Sequence, residues 1–351
     1  MKINLALAGF GNVGRRFVRL LREREAELAA LGVEPVIVGI ATRRHGALFS
    51  SRGIDAVEQA DRLERGAATM IDDGLGVAVK DTAAMIAKTA DLWEPAVLIE
   101  TTVLDITAGR PAVDHVRAAL TAGMHVVTAN KGPAAFAARE LQALASDRAV
   151  SFLFEGAVMD GVPVFNLVRE TLPAARVLGF EGVLNTTTNQ MLVAVERGES
   201  AAAALARMQA EGIAEADPSL DLEGWDAAAK TSALANVLME AEITPRDVDR
   251  EGLGPDLESR VREAAARGKR LKLIAGAHRD PSGHVRASVK LREVDPAGTF
   301  GALDGPANAL RLDTDLVGPI VITQLEGSLT ATAYALVSDL VRVARRLRSH
   351  A

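Results

Sequence analysis

The chain has 351 residues, of which 48% are hydrophobic, 25% charged and 3% aromatic, and its formal net charge is -6. This length exceeds the size at which one hydrophobic core usually keeps growing, so we expect two domains. The acidic balance and the few aromatic side chains argue against nucleic acid as a partner, and the absence of a long apolar tract argues against a membrane role.

The chain contains no cysteine. Disulfides, thiolate nucleophiles and cysteine-ligated zinc are therefore excluded. A strand-like run begins directly at the N-terminus, where a secreted protein would carry its signal peptide. We therefore expect a cytoplasmic protein that acts on a small-molecule substrate.

The first 150 residues alternate between apolar runs and helical patterns. Residues 3–8 (INLALA) form a strand-like run, a glycine-rich turn follows, and FVRLLREREAELAAL has the spacing of an amphipathic helix. Further apolar runs at 36–41, 96–100 and 125–129 alternate with segments rich in Ala and Leu. This order predicts an α/β fold: a Rossmann-type, doubly wound parallel sheet in a dinucleotide-binding domain over residues 1–150.

After Val150 the pattern changes to strand-like pieces in succession. The pieces VSFLFEG, VLGFEGVLN, LKLIAGA and HVRASVKLREV predict a mixed or antiparallel sheet. We expect a second, α+β domain for substrate binding and dimerisation over residues 151–315. The segment 316–351 ends in TATAYALVSDLVRVARRLRS, whose apolar spacing and basic last turns predict a helix, which we expect to return to the nucleotide-binding domain.

The segment GFGNVG places Gly9, Gly11 and Gly14 between the first predicted strand and its helix. In such a fingerprint the first glycine permits a tight turn, the second lets the backbone approach a pyrophosphate, and the third allows close helix packing. The helix N-terminus attracts the phosphates. An incidental glycine-rich turn is the alternative, but the flanking strand and helix favour a dinucleotide, with Asn12 and Val13 as further contacts.

The second predicted strand is followed by Thr42, Arg43 and Arg44. An NAD site usually has an acidic residue at this place, where it binds the ribose hydroxyls. Two arginines instead suit a 2′-phosphate through charge-assisted hydrogen bonds, so we predict NADP in preference to NAD. The alternative is that one or both arginines lie on a solvated loop.

An acidic loop with Glu215, Asp217 and Asp221 precedes a predicted helix on which Asp226 and Lys230 stand four residues apart. This spacing puts the last two on one helix face. Such a pair is most often a solvated ion pair. The apolar positions that follow and the acidic loop favour a partly desolvated lysine suited to proton transfer with an alcohol, while the carboxylates hold a substrate ammonium.

The stretch EGIAEADPSLDLEGWDAAAK (211–230) resembles the signature of the homoserine dehydrogenase family. The resemblance extends to GFGNVG, TANKGP (128–133), EGAVMDGVP (155–163), VLNTTTN (183–189) and the tail GSLTATAYALVSDL, so it covers essentially the whole chain. It implies an NADP-dependent oxidoreductase that interconverts L-homoserine and L-aspartate 4-semialdehyde in the biosynthesis of threonine and methionine, with NAD as a possible cofactor.

The resemblance implies a role for each of several charged residues. Lys230 would be the general acid/base, Asp226 would position the substrate and this lysine, and Lys131 would lie close to the reacting end of the substrate. Glu215 and Asp221 would bind the substrate ammonium. Independently, Lys131 follows an apolar strand of a doubly wound sheet, and ligands bind at the carboxyl ends of such strands. A solvated loop lysine is the alternative.

The resemblance also implies further pocket and cofactor residues. Thr187 would contribute a hydroxyl or backbone group to the substrate pocket, and Gly327 and Thr330 would lie near the nicotinamide at the start of the last helix. The remaining predicted cofactor contacts are Thr101, Thr102, Asn130 and Lys131.

In this family a monovalent cation is bound between the domains by backbone carbonyls and a glutamate. The corresponding residues here are Glu155, Val158, Asp160 and Gly161, and oxygen ligands suit a hard cation such as sodium. The family more often has glycines where this chain has Met159 and Asp160, so a plain structural turn is the alternative.

Two departures from the family pattern bear on the substrate. Thr186 stands where glycine is usual, and Ile213 stands where an aromatic residue is common. An apolar pocket discriminates by only about 1–3 kcal/mol per methylene. Another short hydroxy acid or amino alcohol is therefore the alternative substrate, and a non-catalytic, NADP-binding regulatory paralogue is the second alternative.

The organisation of the chain gives two further expectations. The sequence ends directly after the last predicted helix, so we expect a short form without a C-terminal regulatory domain. An exposed sheet surface in a second domain often serves a two-fold interface, and the resemblance agrees, so we predict a homodimer.

Overall fold

The computed structural model describes residues 1–70 and 76–349. These residues pack as two compact units. The division rests on packing, and the domain boundaries and roles given above remain predictions. The first unit comprises Met1–Pro133, Ala137–Pro163 and Ser328–Ala351, and the second comprises Ala134–Phe136 and Val164–Gly327.

The first unit contains one sheet. In the described residues its strands are β1 (Lys2–Ala8), β2 (Glu34–Thr42), β3 (Gly46–Phe49), β4 (Val77–Val79), β5 (Ala96–Glu100), β6 (His125–Thr128) and β7 (Phe152–Leu153). Their order is β4-β3-β2-β1-β5-β6-β7. The strands from β2 to β7 in this order run parallel, whereas β3 and β4 add an antiparallel edge. This confirms the predicted doubly wound parallel sheet.

Helices connect these strands, and short polar side chains begin several of them. Asp55, Asp81 and Asn130 each accept a hydrogen bond from a backbone amide of the first turn, which satisfies a donor that the helix itself leaves unpaired. The helices are α1 (Asn12–Glu23), α2 (Glu25–Ala30), α3 (Ala56–Glu64), α4 (Thr82–Ala90), α5 (Ala112–Thr121) and α6 (Lys131–Asp147).

Two segments of the first unit differ from their prediction. The helix expected after the glycine-rich turn breaks at Arg24, which leaves helical geometry, and beyond the break α2 buries Leu28. The segment VSFLFEG, which we assigned to the second sheet, supplies β7 of the first sheet. Its residues Phe152 and Leu153 pair in parallel with β6 and are buried, as expected of a strand in a covered parallel sheet.

The second unit contains a sheet in the order β13-β12-β8-β10-β11-β9. Neighbouring strands are antiparallel except β9 and β11, so the sheet is mixed, as predicted. The strands are β8 (Val177–Val183), β9 (Asp249–Arg250), β10 (Arg270–Arg279), β11 (Val285–Val294), β12 (Asn308–Thr314) and β13 (Gly318–Gln324). The helices are α7 (Val164–Asn166), α8 (Thr186–Glu196), α9 (Ala201–Ala210), α10 (Ser219–Leu222), α11 (Trp225–Leu238) and α12 (Leu257–Ala266).

The last helix, α13 (Leu329–Ser349), belongs to the first unit. Its apolar face carries Leu336, Leu340 and Val343, which are fully buried in the same core as Phe17 and Leu21 of α1. Burial of one stripe and exposure of the basic residues near the end of α13 match its amphipathic pattern. None of the helices in the described residues is long and apolar enough to span a membrane.

Candidate active site

The glycine-rich turn follows β1, at the place where the sheet order reverses between β2 and β5. Gly9 has a φ of +93°, and a Cβ there would lie 2.6 Å from the carbonyl carbon of Thr101. Thr101 Oγ1 donates a hydrogen bond to the carbonyl oxygen of Gly9 (3.0 Å). A Cβ on Gly14 would lie 3.0 Å from that same oxygen, whereas a Cβ on Gly11 would meet no atom within 4 Å. Gly11 therefore faces open space at the N-terminus of α1, where a phosphate fits.

A buried carboxyl group ends the neighbouring strand β5. Glu100 is fully buried and accepts hydrogen bonds from the backbone amide of Thr102 (2.9 Å), from the Thr102 hydroxyl and from the Thr128 hydroxyl (2.9 Å). Burial raises the pKa of Glu100 to about 7, because desolvation disfavours the carboxylate more than these hydrogen bonds favour it. Glu100 thus ties together the carboxyl ends of β5 and β6.

Asn130 extends this network to the start of α6. Its Nδ2 donates to the carbonyl oxygen of Thr102 (2.9 Å), and its backbone amide donates to Thr128 Oγ1 (2.9 Å). Its Oδ1 accepts from the backbone amide of Gly132 (2.8 Å) and so caps α6. The predicted cofactor residues Thr101, Thr102 and Asn130 therefore lie together beside the glycine-rich turn, and Lys131 is the first residue of α6.

Arg43 and Arg44 lie in the turn between β2 and β3 and are exposed. Thr42 Oγ1 shapes this turn by accepting a hydrogen bond from the backbone amide of His45 (2.8 Å). Within residues 1–70 and 76–349, neither guanidinium forms an ion pair. Both the 2′-phosphate interpretation and the solvated-loop interpretation are compatible with this position.

The predicted cation segment packs against the N-terminal half of α13 within the first unit. Glu155 is buried, and its backbone amide donates to Asp339 Oδ2 (2.9 Å). Asp160 has a φ of +48°, and its Oδ1 accepts from the Thr332 hydroxyl (2.9 Å). Val158 and Met159 are buried between these two anchors. In the described part of the chain, no three or more His, Asp or Glu side chains form a group suited to a metal ion.

In the second unit, α11 presents Asp226 and Lys230 as one mostly buried pair. Lys230 Nζ lies 3.0 Å from Asp226 Oδ2, and the two side chains are 15% and 16% exposed. Nζ also donates to the backbone carbonyl oxygen of Leu184 (2.6 Å), the residue directly after β8. The exposed fractions and the backbone contact distinguish this pair from a solvated surface ion pair.

Asn185 links this pair to Asp221. Its Nδ2 donates to Asp226 Oδ2 (3.0 Å) and to Asp221 Oδ1 (2.7 Å). Its Oδ1 accepts from the backbone amide of Thr188 (2.8 Å) and caps α8. The ends of β8, α10 and α11 therefore meet in one polar group, which we call the lysine cluster: Leu184, Asn185, Asp221, Asp226 and Lys230.

The start of α11 is fixed by its own contacts. Gly224 precedes the helix at a φ of +79°, and a Cβ there would lie 2.9 Å from the carbonyl oxygen of Glu251, so only glycine fits without strain. The next residue, Trp225, is covered by the guanidinium of Arg250 at 3.7 Å from the ring centroid. These contacts hold the first turn of α11 in place, and with it Asp226.

The start of α8 is held from the side of β10 and β12. Thr186 Oγ1 accepts from Asn308 Nδ2 (3.0 Å), and Thr187 is buried. Lys272 is fully buried on β10, and its Nζ donates to Asn189 Oδ1 (2.7 Å). Burial lowers the pKa of Lys272 to about 8. Thr187 thus lies in the rigid first turn of α8, next to the lysine cluster in sequence.

The acidic loop before α10 is more exposed than the lysine cluster. Glu215 is exposed, and within the described residues its carboxylate is hydrogen-bonded to no member of the lysine cluster. Gln209 Nε2 holds the loop by donating to the backbone carbonyl oxygens of Glu215 (3.1 Å) and Ala216 (3.3 Å). Ile213, the departure from an aromatic residue, is 38% exposed. Of the acidic residues predicted to bind substrate ammonium, Asp221 therefore belongs to the lysine cluster through Asn185, and Glu215 lies outside it.

Sequence reasoning did not single out Asn185 or Glu100. A signal existed for both: Asn185 precedes a run of threonines at a strand-to-helix junction, which is typical of a helix N-cap, and Glu100 is the one charged residue of the run AVLIE. Neither signal specifies which side chains the residue would contact.

Comparison with known proteins agrees with these features. A family model described as homoserine dehydrogenase matches residues 163–341, and a model of the homoserine dehydrogenase NAD-binding domain matches residues 9–155. The NAD(+)-dependent homoserine dehydrogenase of Pseudomonas canavaninivorans is 36% identical over 342 residues, which cover 97% of this chain and 95% of that protein. The homoserine dehydrogenase of Sulfurisphaera tokodaii is 32% identical over 344 residues, which cover 98% and 99%.

Solved structures show the same fold. A homoserine dehydrogenase from Thiobacillus denitrificans matches with a TM-score of 0.82 at 28% identity, covering 99% of this chain and 74% of that one. A hyperthermophilic archaeal homoserine dehydrogenase in complex with NADPH matches with a TM-score of 0.80 at 24% identity, covering 99% and 98%. Together with the two family models, which match most of its length, these relatives show that the chain belongs to the homoserine dehydrogenase family of NAD(P)-dependent oxidoreductases, which act on a CH–OH group.

Proposed function

We propose that this protein interconverts L-homoserine and L-aspartate 4-semialdehyde with NADP(H), and that Lys230 is its general acid/base. The observation that carries the proposal is the environment of Lys230. Its Nζ is held between Asp226 Oδ2 and the carbonyl oxygen of Leu184, and its side chain is 15% exposed. A fixed, largely desolvated amine can exchange a proton with an alcohol more effectively than a mobile surface lysine.

The lysine has opposite tasks in the two directions. In reduction of the aldehyde, the Lys230 ammonium donates its proton to the oxygen on which negative charge develops. In oxidation of the alcohol, the neutral amine takes the hydroxyl proton, and Asp226 stabilises the ammonium that forms.

Asp221 would bind the amino group of the substrate through a charge-assisted hydrogen bond. Exposed Glu215 would join it there, Thr187 would line the same pocket, and Lys131 would lie at the reacting carbonyl.

The residues around the glycine-rich turn would hold the cofactor, which supplies or accepts the hydride when bound. The open space at Gly11 and the N-terminus of α1 suit a pyrophosphate. Asn12, Val13, Thr101, Thr102, Asn130 and Gly327 would contact the remainder of the cofactor.

We further propose that Arg43 and Arg44 bind a 2′-phosphate and give the enzyme its preference for NADP. Their exposed position directly after β2 supports this assignment, because the ribose of a dinucleotide is bound at the end of this strand. The relative from Pseudomonas canavaninivorans is named as NAD(+)-dependent, so the preference needs its own measurement. A kcat/KM that is higher for NADP than for NAD supports the proposal, and the reverse order rejects it.

The segment around Glu155 would hold a monovalent cation through oxygen atoms of Glu155, Val158, Asp160 and Gly161. A buried carboxylate and a turn with left-handed backbone at Asp160 supply oxygen donors of the kind that a hard cation prefers. Replacement of sodium and potassium by a bulky organic cation at constant ionic strength should lower activity if the site is used, and unchanged activity would remove it from the proposal.

A homodimer through the second unit is the corresponding proposal for assembly. β13 is an edge strand of the sheet, and apolar side chains are exposed on and beside it: Leu316 at 70%, Val317 at 57% and Val321 at 44%. Exposed apolar edges of this kind favour pairing with another chain. Light scattering of the wild type should give twice the mass of the chain, and Val321→Glu should shift the mass toward that of one chain.

The test of the main proposal is an assay of the purified protein with L-homoserine and each nicotinamide cofactor, beside a panel of short hydroxy acids and amino alcohols. Highest kcat/KM for L-homoserine supports the proposal. A different preferred substrate would assign the same chemistry to another alcohol. Cofactor binding without turnover of any substrate would identify a non-catalytic paralogue.

A further inference from the structure

Asn185 makes hydrogen bonds in two directions, and each side-chain atom has a fixed role. Its Oδ1 accepts from the Thr188 amide, which can only donate, so Nδ2 must be the atom that faces Asp221 and Asp226. Asn185 is buried. The neutral amide is therefore held between two carboxylates and donates one hydrogen bond to each.

The same carboxylate oxygen serves Asn185 and Lys230. Nδ2 of Asn185 and Nζ of Lys230 each lie 3.0 Å from Asp226 Oδ2. The residue before Asn185 supplies the carbonyl oxygen that accepts from Nζ. One short segment of chain thus fixes both partners of the lysine: the carbonyl directly, and the carboxylate through the amide of Asn185.

The helix cap alone does not explain why asparagine stands here. Asp, Ser and Thr also cap helices through a side-chain oxygen. Aspartate would keep the cap and nearly the same shape, but it would replace the donor with a third carboxylate oxygen beside Asp221 and Asp226. Only asparagine both caps α8 and donates to two carboxylates.

We propose that Asn185 is a positioning residue for the reaction: it holds Asp221 and Asp226 in place with a neutral donor and so limits the negative charge around the amine of Lys230. The inference rests on the proposed role of Lys230 as general acid/base. Among the described contacts, Asp226 on its own helix pairs with this amine, and Asp221 on α10 faces Asn185 from the other side. On the side of β9, Arg250 is stacked on Trp225 at the start of the helix.

The direct test is Asn185→Asp, which keeps the cap on α8. The two nitrogen atoms that flank Asp226 Oδ2 are at most about 6 Å apart, a distance at which an added carboxylate raises the pKa of an amine by about one to two pH units. Oxidation of L-homoserine, which uses the neutral amine, should fall by about 10- to 100-fold at neutral pH and recover at higher pH. The alkaline limit of aldehyde reduction should move upward by the same amount.

A second measurement follows the protonation of Lys230 without an activity assay. Trace labelling with acetic anhydride as a function of pH, followed by mass spectrometry of the peptide that contains Lys230, gives the midpoint at which this amine becomes reactive. The other lysines provide the internal reference. We expect the midpoint of Lys230 to rise by about one to two pH units in Asn185→Asp relative to the wild type. A midpoint that does not move overturns the inference, whatever the rates are.

Ser200→Ala is the matched control. Ser200 caps α9 in the same unit, so Ser200→Ala removes a helix cap without a change of charge at Lys230. Both the labelling midpoint and the pH–rate profile should match the wild type. A shifted midpoint with an unshifted pH–rate profile would support the inference and contradict the acid/base role of Lys230, which separates the failure of one proposal from that of the other.

Discussion

The glycine-rich turn of the first unit and the lysine cluster of the second are built in different ways. In the turn, backbone conformation and the absence of side chains create the space: Gly9 has no room for a Cβ, and Gly11 faces open space. In the cluster, side chains and a carbonyl from separate segments meet at one amine. The first kind of site therefore depends on local backbone freedom, whereas the second depends on tertiary placement and on charge.

The largest effect that this comparison predicts is the loss of the lysine itself. Lys230→Met keeps the aliphatic stem but removes the amine, so kcat should fall by about 10²- to 10⁴-fold, the usual contribution of a general acid/base. The affinity for NADP should be unchanged, because Lys230 is not among the predicted cofactor contacts. Steady-state kinetics and a cofactor titration measure the two quantities, and a kcat within a few-fold of the wild type would contradict the assignment.

The next largest effect concerns Glu100 and stability. Its pKa is raised to about 7 in the folded protein, so the folded state binds more protons than the unfolded state between pH 4.5 and 7. The contribution of Glu100 is fully present below about pH 4.5 and is lost as the pH rises through 7, by about 3 kcal/mol in total. Glu100→Gln cannot titrate and should remove this slope.

Chemical unfolding of wild type and Glu100→Gln at pH 5 and pH 8 tests this expectation. The difference in unfolding free energy between the two proteins should shift in favour of the variant at the higher pH. Glu94→Gln is the matched control: Glu94 is partly exposed, and hydrogen bonds from its own backbone amide, Lys2 and Asn4 lower the pKa of its carboxyl group, so it is ionised at both pH values and should not change the slope. Parallel pH dependence of wild type and Glu100→Gln would show that the buried carboxyl group does not titrate in this range.

Two glycine substitutions in the turn should affect different properties, one the free energy of unfolding and the other the affinity for the cofactor. Gly9→Ala places a Cβ 2.6 Å from the Thr101 carbonyl carbon at a φ of +93°, so it should lower the free energy of unfolding by about 2 kcal/mol. Gly11→Ala meets no atom and should leave stability nearly unchanged while it weakens cofactor binding. Thermal unfolding and cofactor titration of both variants decide the matter, and equal stability losses would show that open space at position 11 is not the relevant difference.

The smallest of these effects is expected at the arginines. Arg43→Ala should reduce the ratio of kcat/KM for NADP to that for NAD by about 10-fold, because one charge-assisted hydrogen bond to the 2′-phosphate is lost. Arg44→Ala serves as the paired variant and shows which arginine acts. Exposed Arg52 supplies the control, since it lies outside this turn. A ratio that neither substitution changes would favour the solvated-loop interpretation.

The two regions also differ in how far the sequence predicts them. The glycine-rich turn could be predicted because the requirement at Gly9, Gly11 and Gly14 is local, and the strand and helix around them can be recognised from apolar periodicity. The parallel sheet followed from the same alternation of elements. The short strand β7 could not be assigned, since two residues carry too little pattern to distinguish one sheet from another.

In the lysine cluster, only the pair Asp226 and Lys230 could be predicted from spacing. Asn185 and Asp221 lie 36 positions apart, and no periodicity in the sequence indicates that they meet. Glu215 stands in the same acidic loop as Asp221, but its side chain is exposed and lies outside the lysine cluster, and its contact with the substrate ammonium stays a prediction. Which carboxylates approach the amine is decided by the packing of α8, α10 and α11.

Chemical rescue of Lys230→Ala by small primary amines is the most direct test that Lys230 transfers the proton. We expect the variant to be nearly inactive in L-homoserine oxidation and added amines to restore turnover, with a rate that rises with the basicity of the amine at equal size. Wild-type turnover in Lys230→Ala without any added amine would contradict the claim that this side chain transfers the proton.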